Sequence, residues 1–372
     1  MVERKIELPD GVPPLNSYYV YMTAGCNLAC RHCWISPSYQ ANGDTGGHLD
    51  YDLFALAIEE GLPLGLSGVK LTGGEPLLHP DFIRIVDLLR EKELGLRIET
   101  NGTLMTEALA HYLKEKSTLS HISISLDGAT AITHDPFRGV KGSFDKAVQG
   151  IRYLVKAGFH PQVIMSLHIG NVDEIEALVQ LAEKLGAGSI KFNLIQPTGR
   201  GEMMAERGQV LGIKQLIDVG NWVENDLQKH TSISLHYSWP MAFYSLKRLV
   251  QGNLSTCSIH NILGILSTGR MAMCGIGVEI PELSYGSLGI DKVAEVWHNN
   301  PTLVEIRRNI PVELEGICSV CLLKQQCMGS CIAENYNLNN RLTSPHWFCQ
   351  LASEEGFFPI ARLSDSEKIL FR

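Results

Sequence analysis

Tyr18-Tyr-Val-Tyr-Met-Thr-Ala-Gly-Cys26-Asn-Leu-Ala-Cys30-Arg-His-Cys33 is the stretch on which the reading of the chain turns. It begins as a strand-like run, Tyr18–Thr23, and passes into a loop with cysteines spaced CX3CX2C. Similar short apolar or alternating runs recur at Gly68–Thr72, Leu96–Thr100, His121–Leu126, Gln162–His168 and Ser189–Ile195. Between them lie helical stripes: Phe82, Ile85, Val86 and Leu89 after Pro80, and Ile175, Leu178, Val179, Ala182 and Leu185 before Gly186. Six strand–helix repeats predict an α/β chain with a parallel sheet and right-handed crossovers, either doubly wound or curled into a barrel. In both arrangements the site forms at the carboxyl ends of the strands. Cys26, Gly73-Gly74-Glu75-Pro76, Thr100-Asn101-Gly102, Ser125-Leu126-Asp127-Gly128 and Pro197-Thr198-Gly199-Arg200 all follow such runs.

Three thiolates on one short loop suit three corners of a cubane, because cysteine is the standard iron–sulfur ligand. A three-cysteine set leaves one iron of a four-iron cluster open to another molecule. Zinc is the alternative, but structural zinc takes four ligands, and His32 competes with its neighbour Cys33 for the fourth place. Spacing favours iron–sulfur.

The other seven of the ten cysteines fall after a cysteine-free stretch of 223 residues. They read Cys257-X11-Gly269-X4-Cys274, then Cys318-X2-Cys321-X5-Cys327-X3-Cys331, then Cys349. Seven thiolates approach the eight needed by two four-cysteine clusters. Zinc knuckles are again the alternative, since Cys318-X2-Cys321 has zinc-like spacing. From about residue 240 long helical stripes give way to Gly, Cys and irregular runs, predicting a barrel or wound domain over 1–240 and a cysteine-dependent module over 241–372.

The chain has 372 residues, 45% hydrophobic and 19% charged, which excludes disorder, coiled coil and collagen. Its formal charge of −8 argues against a general nucleic-acid surface. Met1-Val-Glu-Arg-Lys-Ile-Glu has no apolar h-region, and no run of 18 apolar residues exists, so a cytoplasmic, membrane-free location is expected, where thiols stay reduced.

The CX3CX2C array after the first strand resembles the signature of the radical SAM superfamily. That resemblance implies a partial (β/α)6 barrel and a [4Fe-4S] cluster on Cys26, Cys30 and Cys33. Its open iron binds S-adenosylmethionine, which is cleaved reductively to a 5′-deoxyadenosyl radical that abstracts a substrate hydrogen. Gly73-Gly74-Glu75-Pro76 is similar to the family's GGEP motif, which contacts the SAM ammonium. His32 stands where a residue lies against adenine, and Ser125 and Asp127 where the fourth strand contacts ribose or methionine groups. Arg138 resembles an arginine that pairs with the SAM carboxylate.

The C-terminal array is similar to the SPASM extension of the same superfamily. It implies two auxiliary [4Fe-4S] clusters, a distal one on Cys318, Cys321, Cys327 and Cys349 and a proximal one on Cys257, Cys274 and Cys331. That makes three clusters in all. Two departures stand out. Leu263 occupies the place of an additional cysteine, implying either an open iron or a non-cysteine ligand at the proximal cluster. Gly275 replaces an aspartate of the sulfatase-maturing branch, which argues against that activity. All ten thiols are assigned, which ranks epimerisation lower, since it uses a spare cysteine.

The resemblance implies a peptide-modifying oxidoreductase of ribosomal-peptide maturation, forming crosslinks or related bonds. Its expected partners are a peptide substrate and an external flavodoxin- or ferredoxin-type electron donor. Because only 17 residues precede the first strand, any leader is expected to be recognised by a separate leader-binding protein or by the barrel surface. The alternatives are a small-molecule or tetrapyrrole radical SAM oxidoreductase and, from another class, an iron–sulfur electron carrier or scaffold. Tyr237, Trp239, Tyr244 and His236 are read as core in preference to a peptide groove.

Overall fold

The structure, a computed structural model, describes residues 8–252 and 257–364. The N-terminal heptapeptide read above for a secretory signal lies outside them. Strands β1 (Ser17–Tyr21), β2 (Gly68–Thr72), β3 (Gly95–Thr100), β4 (Leu119–Ser125), β5 (Gln162–Leu167), β6 (Ser189–Leu194) and β7 (Ser234–Tyr237) pair in parallel, each with the next. The first six match the expected runs to within about two residues. The seventh, with its parallel partner β6, was not expected.

Helices cover the outer face of this sheet. They include α1 (Tyr51–Gly61), α2 (Phe82–Glu91), α3 (Glu107–Lys116), α4 (Ala131–Arg138), α5 (Ser143–Lys156) and α6 (Ile175–Leu185). Asp50 caps α1 by accepting from the Asp52 and Leu53 backbone N–H groups at 2.8 and 3.1 Å. The expected stripes on α2 and α6 are the buried faces of those helices.

Alternation along the strands sorts side chains between two environments. Val69, Leu71, Leu96, Ile98, Ile190 and Phe192 join the helices in one large apolar core. Lys70, Arg97, Glu99, His121, Gln162 and Lys191 face the lumen instead. A closed eight-stranded barrel fills that space with branched apolar side chains; this one leaves it open and polar.

Three further strands arise where the sequence looked irregular: β8 (Ile262–Ile265), β9 (Arg270–Ala272) and β10 (Ser284–Ser287). β8 lies parallel to the free side of β1, with Ser17 opposite Ile262. β9 and β10 continue antiparallel, completing a ten-stranded sheet. The main sheet and its core therefore run across the boundary expected at residue 240. Short helical turns carry the remaining cysteines up to the helix Trp347–Glu354. Among the described residues no helix is long and apolar enough to cross a membrane.

Candidate functional site

The cysteine loop after β1 is held from three sides. Ala29 and Arg31 donate backbone hydrogen bonds to the carbonyls of Arg138 and Phe137 at the end of α4. The Arg200 backbone N–H donates to the Cys33 carbonyl, and its Nη1 to the Cys30 carbonyl, both at 3.0 Å. Beneath the loop, a Cβ on Gly74 would stand 1.8 Å from the Gly25 carbonyl oxygen, so only glycine lets the two backbones meet. The glycine pair thus serves chain-to-chain packing as well as lining the cavity.

Cys26, Cys30 and Cys33 line a cavity of about 470 Å3 together with His32, Gly73, Gly74, Glu75, Ser125 and Arg138. The strand ends thus bring together nine of the eleven residues expected around the first cluster. Pro76 and Asp127 lie behind the wall. Pro76 is buried in the first turn of a short helix. Asp127 is fully buried, pairs with Arg138 Nε, and accepts the Ser166 N–H at 2.7 Å. It fixes Arg138, whose Nη1 reaches the Cys30 sulfur at 3.4 Å. Burial opposes the guanidinium charge, but Asp127 and Cys30 outweigh it and raise the Arg138 pKa, so it stays cationic.

Glu75 is buried, and burial pushes its carboxyl up. Thr100 and the Leu77 N–H donate to Oε1 at 2.6 and 3.1 Å, and the Asn101 N–H donates to Oε2 at 2.9 Å. A carboxylate has about four acceptor sites, so Oε2 retains capacity for an ammonium. One face of His32 stacks on Phe137 at 4.4 Å, and burial holds the imidazole well below its usual pKa, hence neutral.

The C-terminal thiols lie in different surroundings. Cys318, Cys321, Cys327 and Cys349 line one small cavity with the apolar side chains of Ala242, Leu314, Ile317 and Phe358. Cys331 lines the lumen cavity together with Cys257, and burial, with Glu334, Cys257 and Cys274 nearby, pushes its thiol well up. It also lines the same cavity as Cys26, Cys30 and Cys33. Leu263 is wholly buried in β8. Gly275 cannot carry a side chain while Tyr21 stays in place, because a Cβ would approach that ring to 2.3 Å. Among the described residues no three His, Cys, Asp or Glu side chains converge tightly enough for a single metal ion. Burial pushes Cys33 up to about 11 and Cys257 and Cys318 up to about 12.

Sequence reasoning missed several lining residues. Asn101 Nδ2 points at the Cys26 sulfur from 3.8 Å. Lys70, Glu99, Lys191 and Asn193 line the cavity from mid-strand, where a charged residue reads as a solvent-facing one. Glu334 also lines it, accepts from Trp347 Nε1 at 2.6 Å, and is pushed up to about 7 by burial. Lys70, Glu99, Lys191, Ser238, Ser330 and Cys331 also border a second cavity of about 990 Å3 in the barrel lumen. Tyr237, Trp239 and Tyr244 line its wall and are buried at the same time.

A model of the Radical SAM superfamily matches residues 20–184. The AdoMet-dependent heme synthase of Methanosarcina barkeri is 31% identical over 331 residues, covering 85% of this chain and 90% of that protein. The mycofactocin maturase MftC of Mycobacterium tuberculosis is 27% identical over 335 residues, covering 88% and 81%. Among solved structures, Streptococcus suis SuiB bound to its precursor peptide SuiA superposes with a TM-score of 0.70 at 16% identity, over 91% of this chain and 76% of that one. At that identity the likeness shows the fold alone.

Proposed function

Because the chain belongs to the radical SAM superfamily and carries the SPASM extension, we propose that it matures a ribosomally made peptide by hydrogen abstraction and crosslinking. The observation that carries this reading is the chamber. The cavity holding Cys26, Cys30 and Cys33 also holds Cys331 and shares a wall with a lumen of about 990 Å3, which has room for a segment much longer than SAM.

In this reading Cys26, Cys30 and Cys33 hold the SAM-binding [4Fe-4S] cluster, and reductive cleavage of the bound sulfonium supplies a 5′-deoxyadenosyl radical. Arg138, locked by Asp127, presents its guanidinium to the SAM carboxylate. The spare lone pair of Glu75 accepts from the SAM ammonium, and the free face of His32 lies against adenine. Ser125 adds a hydroxyl on the opposite wall. Cys257, Cys274 and Cys331 hold the proximal auxiliary cluster, and Cys318, Cys321, Cys327 and Cys349 the distal one. The buried Leu263 leaves the proximal set one cysteine short. The apolar surroundings of the distal four suit electron transfer to an external flavodoxin- or ferredoxin-type protein. A separate leader-binding protein delivers the peptide. Residues 1–240 form the SAM half and 241–372 the auxiliary half.

A second reading, a tetrapyrrole oxidoreductase, is favoured by the 31% identity to a heme synthase. The two part in one experiment. Reconstituted enzyme with dithionite and SAM is assayed for 5′-deoxyadenosine alone, with short peptides encoded beside its gene, and with porphyrins. Stimulation by a peptide, with hydrogen loss from its mass, is the expected result. Stimulation by porphyrin alone moves the function to the second reading, and no 5′-deoxyadenosine under any condition sinks both.

A further inference from the structure

The barrel lumen departs from ordinary barrel interiors in its charge. Tyr19, Lys70, Arg97 and His121 stand in register across β1 to β4, and Lys191 stands opposite His236 on β7. The cavity they line contains five lysines and arginines against two glutamates, in a chain whose overall charge is −8. Both glutamates are already committed. Glu99 pairs with Lys70 at 3.2 Å, and Glu224 pairs with Arg248.

Of the five cations, Arg97 and Lys247 also make no ion pair among the described residues but are exposed, whereas Lys191 is half-buried. It sits mid-strand between the fully buried Ile190 and Phe192, and its Nζ makes no hydrogen bond or ion pair among the described residues. Burial pushes its pKa down and Glu99 only partly restores it. An ammonium partly withdrawn from water without a partner is placed to take its counter-charge from a ligand. Lys191 also lines both cavities, the lumen and the one that holds Cys26, Cys30 and Cys33. An anion held there stands at the junction between the bulk of the substrate and the reacting end.

We propose that the lumen is a carboxylate-binding site in which Lys191 grips an acidic side chain of the substrate beside the position that loses hydrogen. The proposal rests on the peptide reading above and narrows it to acidic peptides. The two fluorescein-labelled peptides Gly-Glu-Glu-Glu-Gly and Gly-Gln-Gln-Gln-Gly are titrated with reconstituted, SAM-loaded enzyme and followed by anisotropy at low salt. The wild-type protein is expected to prefer the acidic peptide by about tenfold or more, as a charge-assisted contact implies. K191M is expected to lose that preference and K191R to keep it. K191M removes an unpaired, half-buried charge, so it is expected to unfold close to the wild-type temperature. Protoporphyrin IX, a dicarboxylate that is not a peptide, forms the third arm. If it binds in a Lys191-dependent way while neither peptide does, the carboxylate site stands and the peptide reading falls. Equal affinity for the two peptides, or a preference that survives in K191M, overturns the site.

Discussion

The two cysteine regions solve opposite problems. The loop bearing Cys26, Cys30 and Cys33 opens into a chamber walled by polar and charged groups, with Arg138 and Asn101 aimed at its sulfurs. The set Cys318, Cys321, Cys327 and Cys349 closes around a small space walled largely by aliphatic and aromatic carbon. On the proposed function, the first would exchange a ligand and so need room and fixed dipoles, and the second would pass electrons and so be better dry. Cys331 bridges the contrast, belonging to the C-terminal array while facing the chamber.

The sharpest way to break this contrast is one serine in each region. C26S is expected to abolish 5′-deoxyadenosine formation. C349S is expected to retain it, with iron falling by about four of roughly twelve atoms. Product chromatography and an iron assay read both, and equal loss in the two variants would merge the regions into one functional unit.

Next in size is the support under the open site. R138M leaves Asp127 buried without its counter-charge, and breaking such a pair costs about 3–5 kcal/mol. Thermal or denaturant unfolding measures it. A loss below about 1 kcal/mol would show that Asp127 finds another partner and that the arginine is free to move.

G74A tests the backbone contact beneath the loop. The added methyl meets the Gly25 carbonyl, and relieving such overpacking costs about 1–3 kcal/mol while displacing the cysteines. Lowered stability together with lowered SAM cleavage is expected. Full activity would mean that the loop tolerates displacement.

The effect that is smallest at neutral pH concerns titration. His134, whose Nδ1 accepts the Asp127 N–H, is held down to about 3 by burial and by Arg138. A depressed histidine contributes stability that is fully present above its unfolded pKa near 6.5 and is lost as the pH falls toward 3. The slope is at most about 1.4 kcal/mol per pH unit. H134Q is expected to flatten that slope in unfolding measured across this range.

Much of the barrel was legible because its six strands carry long alternating runs and its helices carry clean stripes. β7 to β10 were not, since runs of three or four residues hold too little pattern, and the Gly-rich context of Ile262–Ile265 reads as loop. Around the site, the cysteines stood out by spacing and the Gly-Gly-Glu turn and Arg138 by resemblance, and all of them line one cavity. Lys191 and Glu99 were not, because polar residues alternating with apolar ones signal solvent in a half-exposed sheet, and only closure of the barrel turns that face inward. Asp127 was placed at the right strand end but on the wrong side of the wall. Its pairing with Arg138 is a tertiary fact that no local pattern encodes.

The parallel pairing of β8 with β1 carries a temporal consequence. During synthesis Ser17 emerges long before Ile262, so the strand that leads into the cysteine loop spends most of translation with one flank unpaired. Such an edge is both slow to satisfy and prone to stray pairing. The nascent chain thus passes through a window in which the first three thiols are already made while the edge of β1 beside them still waits for its last partner.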